Sequence, residues 1–212
     1  MNFAATFLLL LALAALPASG QDPLINETDA SMPETSLGNV VQTARSHYGA
    51  GVRMMKQAAK LAVKATEAET PEKREKLEKK TVSTRQGAIE QFKEAIGYNK
   101  EMIEAYAGLG AALSESGRPD QALSVHARAL GLEPEDEENF RGWAQAMLDL
   151  NMLGDAAQAY SSLRETSPEQ AATLLTLMKS YLGEKRTDPG ELEQEDLERL
   201  ANWIKLQEDG TG

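Results

Sequence analysis

The sequence predicts an all-α fold, and three observations support that prediction. Alanine, leucine and glutamate are the most frequent residues, and runs of β-branched residues are absent, a composition that favours helices. Apolar side chains recur at spacings of three and four, which place them on one face of a helix. From residue 86 to residue 182 these apolar positions also return at a lag of about 34 residues. The chain should therefore alternate two kinds of helix.

Each repeat contains a second helix of small and aromatic residues and a first helix of apolar ones. The second-helix positions are Ala88, Phe92 and Ala95, then Ala122, His126 and Ala129, then Ala156, Tyr160 and Leu163. The first-helix positions are Tyr106, Leu109, Gly110 and Leu113, then Phe140, Trp143, Ala144 and Met147, then Leu174, Leu177, Met178 and Tyr181. Small residues let helix axes approach, and the larger side chains fill the spaces left between them.

This pattern resembles the tetratricopeptide repeat. The resemblance implies a right-handed superhelical stack of antiparallel helix pairs, a solenoid whose concave groove binds a segment of another protein. Departures are Lys100 in place of a proline, His126 in place of an aromatic residue, and Leu163 in place of a small one. Members that grip a terminal carboxylate use Lys, Asn and Arg, and this chain lacks that clamp. It has Ala107, Ala111, Gly142, Ala172 and Thr176 at those points.

The first 20 residues are expected to direct export, and the next 18 are expected to form a flexible lead-in. Residues 1–20 resemble a signal peptide, with an apolar run over residues 3–16 and small residues before a cleavage point after Gly20, although no Lys or Arg precedes the run. The alternative is an uncleaved anchor, but the run is shorter than the ~20 residues that span a bilayer. Residues 21–38 are polar and acidic and are predicted to be a flexible lead-in. We expect a periplasmic protein, or otherwise a secreted one.

Residues 39–98 are predicted to form a long helical hairpin, a stretched first repeat, with helices over residues 39–66 and 71–98. Thr70 and Pro71 should start the second of them. Residues 99–182 carry the repeats, as helices 103–116, 119–132, 135–150, 155–165 and 170–182, with turns at Gly117 and Asn151. Residues 183–212 should form a C-terminal capping helix and tail. The start of that helix is predicted at residues 188–191, and its polar face should shield the end of the stack.

Charge is divided unequally along the chain. The net charge is −11, yet residues 40–85 contain eleven Lys and Arg and five Asp and Glu, whereas residues 86–212 contain eleven and 24. An acidic chain is not expected to bind nucleic acid, because the phosphate backbone attracts a basic surface. The absence of cysteine excludes disulfides and thiolate chemistry.

The sequence offers no motif for catalysis, a cofactor or a metal, so we do not expect an enzyme. His47 and His126 are the two histidines, and both fall in interhelix packing positions. Replacement of His126 by Phe or Tyr should therefore leave stability equal or higher. The acids Glu133, Glu135, Asp136, Glu137 and Glu138 could suggest a cation site, but they are better explained as favouring the positive end of the next helix.

Two surfaces are candidates for binding. The first is a groove for a basic or amphipathic segment of a partner protein, lined by residues that the family spacing places on first helices: Glu104, Ala107, Ala111, Ser114, Glu115, Glu138, Arg141, Gln145, Leu148, Asp149, Leu175 and Lys179. The alternative surface is a basic hairpin tip contacting an anionic surface: Lys73, Arg74, Lys76, Lys79 and Lys80.

The predicted function is a non-enzymatic adaptor or assembly factor that binds a partner in its groove. The alternative is an envelope-associated structural protein that uses the basic tip. A hydrolase or cation-dependent enzyme would need an active centre, which the sequence does not supply.

Overall fold

The computed structural model describes residues 37–190 and 192–209. These residues are all-α. Eight helices span the described chain: α1 (Leu37–Thr66), α2 (Pro71–Tyr98), α3 (Ile103–Ser114), α4 (Pro119–Leu132), α5 (Glu137–Asp149), α6 (Leu153–Thr166), α7 (Pro168–Thr187) and α8 (Gln194–Glu208). The predicted bounds of α2 and α4 are confirmed, and those of α1, α3, α5 and α6 differ by two residues at most.

The starts of several helices follow from local chemistry. The Thr70 hydroxyl accepts a hydrogen bond from the Lys73 amide at 3.2 Å, and Pro71 occupies the first helical position of α2. Pro119 and Pro168 stand at the same position of α4 and α7. Asp136 caps α5 by accepting from the Asn139 amide at 2.8 Å.

Two helix ends, 34 residues apart, have the same turn. Gly117 after α3 has φ 71° and Asn151 after α5 has φ 57°, the left-handed conformation that ends many helices. The following amide reaches back across each turn, from Arg118 to the Leu113 carbonyl and from Met152 to the Met147 carbonyl, both at 3.0 Å. The predicted turn residues are confirmed.

The C-terminal helices differ from the prediction. The sequence predicts that residues 188–191 start the last helix, but Asp188 ends α7, which passes through Gly183 without a break. Gly190 has φ 60°, so a helix cannot continue through it. The last helix begins only at Gln194. It packs with Leu197, Leu200 and Ile204 facing inward.

Contacts between helices follow chain order. Each helix contacts the next one, and α1 also contacts α3, α3 contacts α5, and α5 contacts α7. One continuous hydrophobic core runs from Ala44 in α1 to Ile204 in α8. Large side chains at the repeat positions, including Phe92, Tyr106, Phe140 and Leu174, are fully buried in it.

The predicted signal peptide, most of the lead-in and the end of the tail lie outside the described residues. Within the described chain, no helix has both the length and the apolar character that a membrane crossing requires.

Candidate partner-binding site

An aromatic ring between two glycines joins α2 to the helices on either side. A methyl group on Gly51 of α1 would lie 2.7 Å from Phe92 Cε1, and one on Gly108 of α3 would lie 2.5 Å from the same atom. Real side chains do not approach that closely, so the Phe92 ring rests directly on both backbones. The absence of a side chain at Gly51 and Gly108 fixes the spacing of α1, α2 and α3.

His126 occupies the equivalent position in α4. A methyl group on Gly110 of α3 or on Gly142 of α5 would lie 2.2 Å from His126 Nε2. The imidazole is 3% exposed, and its Nε2 edge rests against the backbone at both glycines. The prediction that His126 lies between packed helices is confirmed.

His126 also forms a buried hydrogen bond that the sequence did not predict. Its Nδ1 lies 2.9 Å from Asn139 Oδ1. The Asn139 amide nitrogen donates to Asp136 Oδ1 at 2.9 Å, which leaves Oδ1 of Asn139 to accept the proton on Nδ1. Burial lowers the pKa of His126, although the bond to Asn139 and the charge of Asp136 oppose that shift. A neutral ring with its proton on Nδ1 fits this site.

We therefore expect His126→Phe to lower the free energy of unfolding, contrary to the expectation from the sequence. The change leaves Asn139 Oδ1 buried without a donor, which costs about 1–3 kcal/mol. The six-membered ring also has to fit where a smaller ring already touches both glycines. Urea denaturation of His126→Phe, Asn139→Ala and the double variant would measure the coupling. Full additivity of the two single changes would contradict a His126–Asn139 bond.

The buried His126 also makes the free energy of unfolding depend on pH. Because the pKa of His126 is lowered in the folded state, the unfolded chain binds the proton more readily. The contribution of His126 to the free energy of unfolding is complete above the pKa of about 6.5 that it has in the unfolded chain. This contribution is lost progressively as pH falls toward the lower pKa that His126 has in the folded chain. The difference in unfolding free energy between the wild type and His126→Phe should shrink from pH 8 to pH 5. A difference that is constant over this range would show that protonation of His126 does not affect folding.

His47 lies between α1 and α2, also as predicted. Its Nδ1 is 3.0 Å from Gln91 Oε1, and its ring stacks on Tyr98 at 5.5 Å between centroids. These contacts give His47 a structural role in the hairpin.

The structure divides the predicted groove residues into exposed and buried ones. Ala107 and Leu148 are buried, with 3% and 0% exposure, so neither can contact a partner. The prediction that these two residues line the groove is therefore wrong. Their side chains face neighbouring helices in the core. Ser114 and Leu175 are half-buried. The exposed members are Glu104, Ala111, Glu115, Glu138, Arg141, Gln145, Asp149 and Lys179.

Glu104 and Glu138 act on the same point of the molecule. Burial raises the pKa of the Tyr48 hydroxyl, and both carboxylates raise it further. Tyr48 lies on α1, Glu104 in the first turn of α3 and Glu138 in the first turn of α5. Charges on two helices thus act on one phenol of a third helix. We name Tyr48, Glu104 and Glu138 the acidic face.

The other two predicted acids, Glu115 and Asp149, interact with different groups. Glu115 Oε2 pairs with Arg85 Nε of α2 at 3.1 Å, and it lies one helix length from Glu104, about 16 Å along α3. Asp149 accepts from Gln145 at 2.9 Å. Burial raises the pKa of Tyr181, and Asp149 raises it further. Of the four predicted acids, Glu104 and Glu138 act on a common group, the Tyr48 hydroxyl.

Two basic residues of the predicted lining are held in ion pairs. Arg141 Nε pairs with Glu137 one turn earlier at 3.1 Å. Lys179 of α7 pairs with Glu208 at the end of α8. Partial neutralisation of these cations favours a negative potential on the surface of the first helices.

The predicted hairpin-tip residues lie on the first three turns of α2. Lys73, Arg74, Lys76, Lys79 and Lys80 are all exposed. Lys79 pairs with Glu75. Within the described residues, the other four form no ion pair. The tip is a solvated, mixed-charge surface.

Sequence reasoning missed Tyr48 and Asn139 as site residues. The apolar pattern includes Tyr48 only as a packing position, yet the charges of Glu104 and Glu138 raise the pKa of its hydroxyl. The signal for Asn139 is an amide in the first turn of α5, beside the buried Phe140. A buried amide needs hydrogen-bond partners.

No protein-family model matches this chain, and no curated protein matches it either. Within the described residues, no group of three or more His, Asp and Glu side chains is placed to hold a metal ion. In the acidic stretch before α5, Asp136 caps the helix and hydrogen-bonds to Asn139.

Proposed function

We propose that the chain is a tetratricopeptide-like adaptor that binds a basic or amphipathic segment of another protein on its first helices. The observation that carries this proposal is that Glu104 and Glu138 are exposed in the first turns of α3 and α5, and that the charges of both raise the pKa of Tyr48 on α1. A phenol in the field of two carboxylates suits a Lys or Arg side chain, since the acids attract its charge and an aromatic ring can contact its aliphatic stem.

Two features support a stack of antiparallel helix pairs, the arrangement of the right-handed solenoid that we propose. Contacts alternate between consecutive helices and between consecutive first helices, the arrangement in which each repeat touches only its neighbours. The ring between two glycines recurs 34 residues on, as Phe92 and then His126. In the hairpin, His47 contacts Gln91 while the later residue Met54 contacts the earlier Gly87, as expected for opposite helix directions.

Photo-crosslinking tests the proposed surface. A benzophenone side chain at Ala111 or Gln145, both exposed on first helices, should crosslink the captured partner. The same group at Ser124 or Ser161, exposed on second helices, should not. The bait is the chain from residue 21 in the native compartment. Equal crosslinking from both pairs of positions would contradict binding on the first helices.

Export is part of this proposal. The apolar run and the small residues before Gln21 support signal cleavage and a periplasmic or secreted adaptor. Mass spectrometry of the mature protein should give a chain that begins at Gln21. Recovery of intact Met1 from a cytosolic fraction would contradict it.

A further inference from the structure

The hairpin of α1 and α2 extends into an arm with its own cleft. The repeat helices α3 to α6 have 12 to 14 residues, whereas α1 has 30 and α2 has 28. No residue of α2 before Thr81 is buried. We name residues 57–66 and 71–85 the arm. Its interior is made largely of alanines, including the buried Ala58 and Ala65, so the two helices leave space beside them.

That space is a cleft of about 590 Å³, a size typical of ligand sites. Ala62 and Ala65 of α1 line one side, and Val82 of α2 lines the other. Val82 is 65% exposed. No other helix covers this apolar surface within the described residues.

Two guanidinium groups mark the ends of the cleft. Arg74 and Arg85 both line it, and eleven residues of helix separate them by about 16 Å. Arg74 forms no ion pair with any described residue, and Arg85 uses its Nε to hold Glu115. An Arg side chain binds carboxylates through two parallel N–H groups. Glu78 lies between the two ends, so carboxylates fit at the ends rather than in the middle.

We propose that the arm cleft binds an extended acidic segment of a second protein. A length of 16 Å holds about five extended residues. Carboxylates at both ends of such a segment would meet Arg74 and Arg85, with small apolar side chains between them against Ala62, Ala65 and Val82. A flat anionic membrane would not enter this concavity. The arm and the acidic face therefore select partners of opposite charge, so one chain can bridge two proteins.

A matched pair of charge reversals on one helix tests the proposal. Lys76 is exposed and lies about 200° around α2 from Arg74. The variants Arg74→Glu and Lys76→Glu change the net charge equally, but only the first changes the cleft. Binding would be followed by fluorescence anisotropy of a labelled peptide, Glu-Ala-Ala-Ala-Glu, on the chain from residue 21. Circular dichroism would confirm equal helix content.

We expect Arg74→Glu to weaken peptide binding by about tenfold or more, the loss of one charge-assisted bond. Lys76→Glu should change it by less than about twofold, because its charge is solvated and distant. Glu138→Lys should leave this affinity unchanged, which separates the cleft from the acidic face. Equal losses in Arg74→Glu and Lys76→Glu, or the absence of saturable binding at millimolar peptide, would overturn the proposal. Binding of vesicles of phosphatidylglycerol and phosphatidylcholine without binding of the peptide would also overturn it, in favour of a membrane surface.

Discussion

We expect Gly142→Ala to destabilise the fold more than any exposed substitution. The new methyl group would lie 2.2 Å from His126 Nε2 and 2.3 Å from Cε1. The ring has little freedom to move, because its Nε2 edge also rests against Gly110 and its Nδ1 is hydrogen-bonded to Asn139. Overpacking of this kind costs about 1–3 kcal/mol and occasionally more. The separation of α3, α4 and α5 should increase.

Gly183→Ala is the matched control. Gly183 lies inside α7, and no neighbouring atom lies within 4 Å of the position that its methyl group would take. Alanine there should stabilise the protein by about 0.5–1 kcal/mol, because glycine loses more backbone entropy in a helix. Urea denaturation of both variants measures the contrast. A Gly142→Ala protein that unfolds at or above the wild-type midpoint would show that the ring and the glycine do not set the helix spacing.

A double variant tests whether contact with the His126 ring causes the loss of stability in Gly142→Ala. In the double variant Gly142→Ala/His126→Ala the methyl group has space, so the two changes should cost less together than the sum of the single ones. Residues in contact commonly show such coupling at about 0.5–3 kcal/mol. Gly108→Ala against Phe92 is an independent copy of the same test, with its methyl group 2.5 Å from the ring.

Helix positions and turns could be predicted from the sequence because they depend on short-range chemistry. Thr70 with Pro71 begins α2, and Gly117 and Asn151 end helices in the left-handed conformation. Each signal lies within a few residues of its effect. The prediction that residues 188–191 start the last helix was wrong, because a proline and an acid can follow a helix as well as start one. The positive φ of Gly190 does not allow a helix at this point.

The candidate site was less predictable, because it depends on how far neighbouring helices rotate. Ala107 and Leu148 share a helix with exposed residues, and only the packing of the next helix buries them. Glu115 turns toward Arg85, which lies 30 residues earlier. Asn139 hydrogen-bonds to His126 from the next helix, and the spacing of apolar residues does not predict a bond between these two helices.

The second large effect is expected on the affinity for the partner protein. Reversal of both Glu104 and Glu138 to Lys should weaken partner binding by about tenfold or more, since each reversal replaces attraction by repulsion at the acidic face. The fold should be retained at a modest cost, because an acid in the first turn of a helix contributes about 0.3–1 kcal/mol and each reversal removes one. The wild-type affinity should fall as salt rises, because charges are screened over about 10 Å at 0.1 M. That salt dependence should be smaller in the reversed variant.

Glu94→Lys with Glu165→Lys is the control pair for this change. Both residues are exposed on second helices, α2 and α6, and the net charge of the chain changes equally. Calorimetric titration with the partner segment should give near wild-type affinity for this pair. A comparable loss in both pairs would mean that only total charge matters.

The most direct measurement of the central claim compares one partner segment against three forms of the chain from residue 21. These are the wild type, Glu104→Lys/Glu138→Lys, and a form with glutamine at the five basic tip residues: Lys73, Arg74, Lys76, Lys79 and Lys80. If the partner binds on the first helices, its affinity falls in the second form and is retained in the third. Retention in the second form with loss in the third would place the partner on the basic hairpin tip and contradict the account.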